Sequence, residues 1–181
     1  NVSEGLGGIW RSEDAGKSWK NIGLKDGRHI IRIVIHPRNP DVVWVAVMGH
    51  LFGPNEERGV YKTMDGGKTW KKVLYVNDQT GAADMVTDPN NPNKILVAMW
   101  EHKRDPWFFN SGGKGSGMYI SYDAGETFKK LTDEDGLPKG DLGRIGIAVA
   151  PGKSNIIYAL VEAKENGLYK SVDGGKKWAL V

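Results

Sequence analysis

The hydrophobic positions of this chain fall into short, β-branched runs separated by Pro, Asn and Gly clusters. "HIIRIVIHP" (29–37) leads into "NPDVVWVAVMG" (39–49), then "RGVYKTMDGGKTWKKVLY" (58–75). A second series reads "AADMVTDP", "NKILVAMW" and "SGMYISYDAGETFKKL", and a third reads "GRIGIAVAP", "SNIIYALVEA" and "GLYKSVDGGKKWALV". Such runs predict short antiparallel strands. The closing hairpin of each series supplies two, giving four strands per unit.

The hairpins share a motif written four times: "IWRSEDAGKSW" (9–19), "VYKTMDGGKTW" (60–70), "MYISYDAGETF" (118–128) and "LYKSVDGGKKW" (168–178). The invariant positions are Ser12, Asp14, Gly16 and Trp19; Thr63, Asp65, Gly67 and Trp70; Ser121, Asp123, Gly125 and Phe128; Ser171, Asp173, Gly175 and Trp178. Steps of 51, 58 and 50 residues between the aspartates mark a repeat architecture. A catalytic apparatus is assembled once from converging residues, so a feature present in every unit reads as part of what builds the unit. The Asp carboxylate is expected to accept backbone N–H bonds just downstream, and the Gly to supply a backbone region closed to other residues. The trailing aromatic should return to the hydrophobic layer.

The pattern S/T-x-D-x-G-x-x-W/F resembles the Asp-box, or BNR repeat, of sialidases, xyloglucanase-type glycosidases and sortilin-like receptor domains. The resemblance implies an all-β fold, a β-propeller segment of four-stranded antiparallel blades with the box turn between the third and fourth strands. It places a half blade at 1–24 and blades at 25–75, 76–131 and 132–181. Propellers close with roughly four to eight blades, so three and a half imply the remaining blades of the same propeller, or a second copy, as partner. The same resemblance implies a secreted, periplasmic or cell-surface protein.

Composition narrows the chemistry. Cysteine is absent, which excludes a disulfide framework, a thiolate nucleophile and a cysteine zinc site. No apolar run approaches the roughly 18 residues of a membrane span. The net charge of +3 is spread along the chain, and the pairs Lys71–Lys72, Lys129–Lys130 and Lys176–Lys177 read as edge-strand charges that block sheet-to-sheet pairing. No nucleic-acid partner, cofactor or metal is expected; H-E-x-x-H spacing does not occur, and "DEDG" (133–136) lacks the calcium-loop pattern.

Blade register sorts the loops by face. The prolines Pro37, Pro89 and Pro151 precede their box aspartates by 28, 34 and 22 residues, so length variation lies between the second and third strands. Those connections and the interblade segments form the face where propeller ligands usually bind. The candidates are 49–59, 101–117 and 131–144. Within them stand His50, Phe52, His102, Arg104, Asp105, Trp107, Phe108, Phe109 and Arg144. Exposed aromatics beside charged groups suit sugar stacking or a peptide anchor; packing against a neighbouring blade is the alternative. His50 and His102 each lie 13 residues after their alignment proline and are expected at matching ends of second strands. The "SGGKGSG" run lacks the G-K-[ST] ending of a phosphate loop.

Two functions from different classes fit. One is a noncatalytic binding module taking a peptide or glycan on the loop face. The other is part of a glycoside hydrolase, which needs two carboxylates across the scissile bond; Asp84, at the start of an innermost strand, is the candidate there. A third, resting on fold analogy alone, is an assembly scaffold.

Overall fold

The computed structural model describes residues 7–181. It is built of antiparallel sheets with two single-turn 3-10 helices, Lys25–Gly27 and Asp133–Asp135. The first sheet is a two-stranded hairpin, β1 (Trp10–Arg11) and β2 (Lys20–Asn21). The second runs β3 (His29–Ile35), β4 (Val43–Gly49), β5 (Gly59–Thr63) and β6 (Lys71–Leu74) in sequence order. The third runs β7 (Thr80–Asp88), β8 (Asn91–Asp105), β10 (Gly117–Ser121) and β11 (Lys129–Leu131), with β9 (Phe108–Ser111) paired to the far end of β8. The fourth is β12 (Ile145–Val149), β13 (Ile157–Val161), β14 (Gly167–Ser171) and β15 (Ala179–Leu180). Four-stranded antiparallel meanders stacked face to face are the blades of a partial β-propeller.

Burial along the second strands shows how the sheets stack. In β4 every residue from Trp44 to Met48 is buried, and in β8 Ile95 to Met99 are all fully buried. Both faces of these strands are covered, so the usual alternation disappears. β13 regains it: Ile157, Ala159 and Val161 are buried, while Leu160 is 62% exposed. The outer face of the fourth sheet is uncovered in this chain, and Leu168 on the neighbouring strand is exposed with it.

The box turns close each hairpin by one repeated set of bonds. Thr63 Oγ1 accepts from the amides of Asp65 (3.3 Å) and Gly67 (2.9 Å) and donates to Asp65 Oδ1 (2.7 Å). Asp65 then accepts the amides of Lys68 and Thr69 at 3.0 Å and the Thr69 hydroxyl at 2.6 Å. Those bonds, led by the Thr69 hydroxyl, hold its carboxyl far below the usual carboxylate range. Ser12–Asp14, Ser121–Asp123 and Ser171–Asp173 repeat the link at 2.8–2.9 Å. Gly16, Gly67, Gly125 and Gly175 all sit at φ of +83° to +95°, the left-handed region that a Cβ disfavours.

The trailing aromatics differ by what precedes them. Trp178 is buried, and Trp70 packs against the core and donates its indole N–H to Ile22 O of the first sheet at 2.8 Å. Trp19 departs from the expectation and stays 60% exposed, because no earlier sheet meets it among the described residues. "DEDG" forms a 3-10 turn whose Thr132 and Asp135 cap each other.

Candidate functional site

The long connection of the third sheet is structured, contrary to the loop expected across 101–117. β8 continues to Asp105, turns at Pro106–Trp107 and returns as β9, pairing His102 with Ser111 and Asp105 with Phe108. Burial along this extension falls off toward its tip. His102 points inward and is 4% exposed, whereas Trp107 at the tip is 86% exposed. Phe108 and Phe109 are also exposed, and Arg104 lies 4.7 Å over the Phe109 ring. Asp105 pairs with Lys103 at 3.5 Å.

The two histidines occupy matching register positions, each three residues past the second-strand residue, Val47 or Met99, that pairs with the Gly opening the third strand, but only one of the two strands ends there. His50 follows the last residue of β4, but His102 lies within the extended β8. Neither is displayed for a ligand. His102 stacks on Trp100 at 4.5 Å, and burial, then the neighbouring Arg58, lowers its pKa to about 4.

Arg58 is the residue that sequence reasoning overlooked on this face. Its guanidinium, 1% exposed, donates to Gln79 O (2.5 Å), His50 O and Gly53 O (both 3.1 Å), and faces His102 Nδ1 at 3.4 Å. One buried cation thus ties the 50–58 connection, which carries the exposed Phe52, to the entry of β7 and to β8. His50 Nε2, Asn55 Oδ1 and Thr80 Oγ1 are buried nearby in sequence and space without protein partners. A signal did exist in the repeat. The residue before the Gly that opens each third strand is Arg58, Ser116 or Asn166. Each bonds loop-face groups: Ser116 Oγ accepts the Glu101 amide at 2.9 Å, and Asn166 Oδ1 accepts the Ala163 amide at 3.0 Å.

A cavity of about 500 Å³ opens where the innermost strands converge, lined by Arg32, Asp84, Arg144, Glu162 and Asn166 over Ile31 and Leu160. It brings Asp84 and Arg144 together. Asp84 sits not at the start of its strand, as expected, but at a bulge in the middle of β7, and accepts from Arg32 Nη2 (3.0 Å), the Met85 amide (2.9 Å) and, from the next sheet, the Ile147 amide (2.9 Å). These bonds fasten three innermost strands, and a general acid at Asp84 would have to give some of them up. Glu162, unmarked in the sequence reading, accepts from Ser111 Oγ (2.7 Å) and the Arg144 amide (2.8 Å). The Arg144 guanidinium lies 5.6 Å over Trp100, whose indole donates to Ser111 Oγ at 3.0 Å. The cavity and the aromatic hairpin are therefore joined through Trp100, Ser111 and Glu162. No group of three or more metal-ligating side chains occurs among the described residues. Among the described residues no helix is long and apolar enough to cross a membrane.

Stacked four-stranded blades closed by box turns define a β-propeller segment of the BNR-repeat type. The family model for sortilin, neurotensin receptor 3, matches residues 7–134, and the chain belongs to that Sortilin-Vps10 family. It is 30% identical over 132 residues to a xyloglucanase of Acetivibrio thermocellus, covering 68% of this chain and 15% of the relative. It is 30% identical over 176 residues to a xyloglucanase of Hypocrea jecorina, covering 91% and 19% respectively. Among solved structures, the GH74 xyloglucanase from Xanthomonas campestris superposes with a TM-score of 0.72 at 19% identity, over 97% of this chain and 27% of that one. The chain thus spans only about a seventh to a quarter of its relatives, and at this identity the structural likeness speaks for the fold alone.

Proposed function

We propose that this chain is a noncatalytic, glycan-binding part of a larger exported propeller protein, its ligand an extended neutral polysaccharide of the xyloglucan kind. The observation that carries the reading is the β8–β9 hairpin. Trp107, Phe108 and Phe109 are exposed on a paired, rigid support beside Arg104, the combination that stacks on sugar rings while charged groups bond their hydroxyls. The adjoining cavity, with Arg144, Glu162 and Asn166, would take the continuation of the chain. The two xyloglucanase relatives support a polysaccharide over a peptide ligand.

The test is calorimetric titration with a xyloglucan oligosaccharide. Trp107→Ala should weaken binding about tenfold, equivalent to roughly 1.4 kcal/mol, with folding unchanged. Equal affinity in the variant, or binding of peptides instead, would overturn the reading.

A second reading, part of a glycoside hydrolase, is favoured by the names of those relatives and by two carboxylates in one cavity. Turnover of xyloglucan by the complete protein that collapses in Asp84→Asn or Glu162→Gln would establish it. Absence of any cleavage product would remove it.

A further inference from the structure

The repeat contains an internal comparison at its outer rim. In each box hairpin one cross-strand pair stands in the same register: Arg11 opposite Lys20, Lys62 opposite Lys71, Ile120 opposite Lys129, and Lys170 opposite Ala179. Between the second and third sheets this pair is bridged by a carboxylate. Glu126, three residues after the box Asp123, receives Lys62 Nζ at 2.7 Å and Lys71 Nζ at 3.0 Å. Between the first and second sheets the residue three after Asp65 is Lys68. Arg11 and Lys20 therefore share their interface with a cation where Lys62 and Lys71 meet a carboxylate.

The consequence is an open, positively charged cleft of about 750 Å³. Arg11, Lys20, Lys25 and Lys68 line it, and Glu13 is the single acidic side chain among its described lining residues. Glu13 is spent on Arg11 at 3.0 Å, and Arg11 also donates to Gly66 O at 2.9 Å, which fixes its guanidinium at the cleft wall. Lys20, Lys25 and Lys68 make no ion pair among the described residues. A cleft lined by one sign of charge concentrates counter-ions of the other. Its volume far exceeds that of one oxyanion, and its cations come from three segments, so several anionic groups can be held at once.

We propose that this cleft is a second binding site, distinct from the aromatic hairpin, and that it takes the anionic groups of an acidic glycan such as a uronate-bearing polysaccharide. The neutral-glycan reading of the hairpin is not needed for it. Lys68 is the selecting residue, because a carboxylate there would rebuild the Glu126 arrangement with Arg11 and Lys20 and close the site.

The experiment titrates an oligogalacturonate into the full chain at fixed ionic strength, with a neutral xyloglucan oligosaccharide and inorganic sulfate in parallel. Wild-type protein should bind the oligogalacturonate. Lys68→Glu should weaken that binding at least about tenfold while leaving thermal stability equal or higher, which separates site loss from misfolding. Equal oligogalacturonate affinity in wild type and Lys68→Glu would overturn the site. Sulfate binding without oligogalacturonate binding would overturn the acidic glycan as its ligand. Loss of neutral-oligosaccharide binding in Trp107→Ala alone bears on the hairpin and leaves this result untouched.

Discussion

The indole N–H of Trp44 donates to the carbonyl of Ala124, 80 residues away, at 2.9 Å. Trp44 belongs to the second strand of one sheet and Ala124 to the box turn of the next, so the turn that closes a hairpin also receives the preceding blade. Trp44 is fully buried, and its ring fills the space between the two sheets. Trp44→Phe keeps most of that apolar volume but leaves the Ala124 carbonyl unpaired. The expected cost is about 1–3 kcal/mol, read as a lowered denaturant midpoint with unchanged m-value.

The box hydroxyl offers a cleaner test than the box acid, because it is buried. Thr63 is 2% exposed and accepts the amide of the buried Gly67. Thr63→Val is nearly isosteric yet strands that N–H, so a loss of about 1–3 kcal/mol is expected. Ser12→Ala, at the exposed first box, should cost less, since water replaces the lost bond. Equal losses at the two sites would contradict this account.

Asp88 and Lys94 form a buried pair at 2.8 Å, with side chains 6% and 10% exposed. Burial opposes ionisation of Asp88, but the bond from Lys94 and the Asn90 amide prevail and its pKa is lowered. Lys94→Met removes the partner and leaves the carboxylate uncompensated, at a cost of about 3–5 kcal/mol. The double variant Lys94→Met/Asp88→Leu should recover much of it in the same denaturation assay.

Two pH windows follow from the shifted groups. His102 is held near 4, below its ordinary 6.5, so the folded state binds fewer protons than the unfolded chain between those values. Its contribution to stability is complete above about 6.5 and is lost as pH falls toward 4. Where the folded state itself protonates, near pH 4, His102 also cannot accept from Arg58, and the tie between the 50–58 connection and β8 is lost. The box carboxylates act lower. Asp14 is depressed to about 2, chiefly by the Ser18 hydroxyl, so its contribution persists above the ordinary 3.8 and fades only below it. Thermal melts from pH 7 to 3 should fall in two stages, and His102→Asn should flatten the first alone.

How far the sequence reached depended on the range of the interaction involved. The box turn was legible because its bonds join residues at most four apart, and four copies exposed the pattern. The β8–β9 hairpin was not, since "EHKRDPWFFNSGG" carries no simple alternation and its pairing depends on the preceding strand's running past the sheet. Arg58 hid because its acceptors are backbone carbonyls, which no side-chain pattern announces. Asp84 was noticed as a carboxylate, but its partners Arg32 and Ile147 come from the sheets on either side.

The sequence by itself determined the unit: strands of β-branched residues, the Ser/Thr–Asp–Gly turn, and the repeat that makes a propeller. All of these are set by local sterics and hydrogen bonds within one hairpin. Only the tertiary structure decided which units seal and which stay open, because that depends on pairs brought together across blades. Lys62 and Lys71 meet Glu126, whereas Arg11 and Lys20 share a cleft with Lys68. The hairpins are alike; the charges that stacking sets beside them are not.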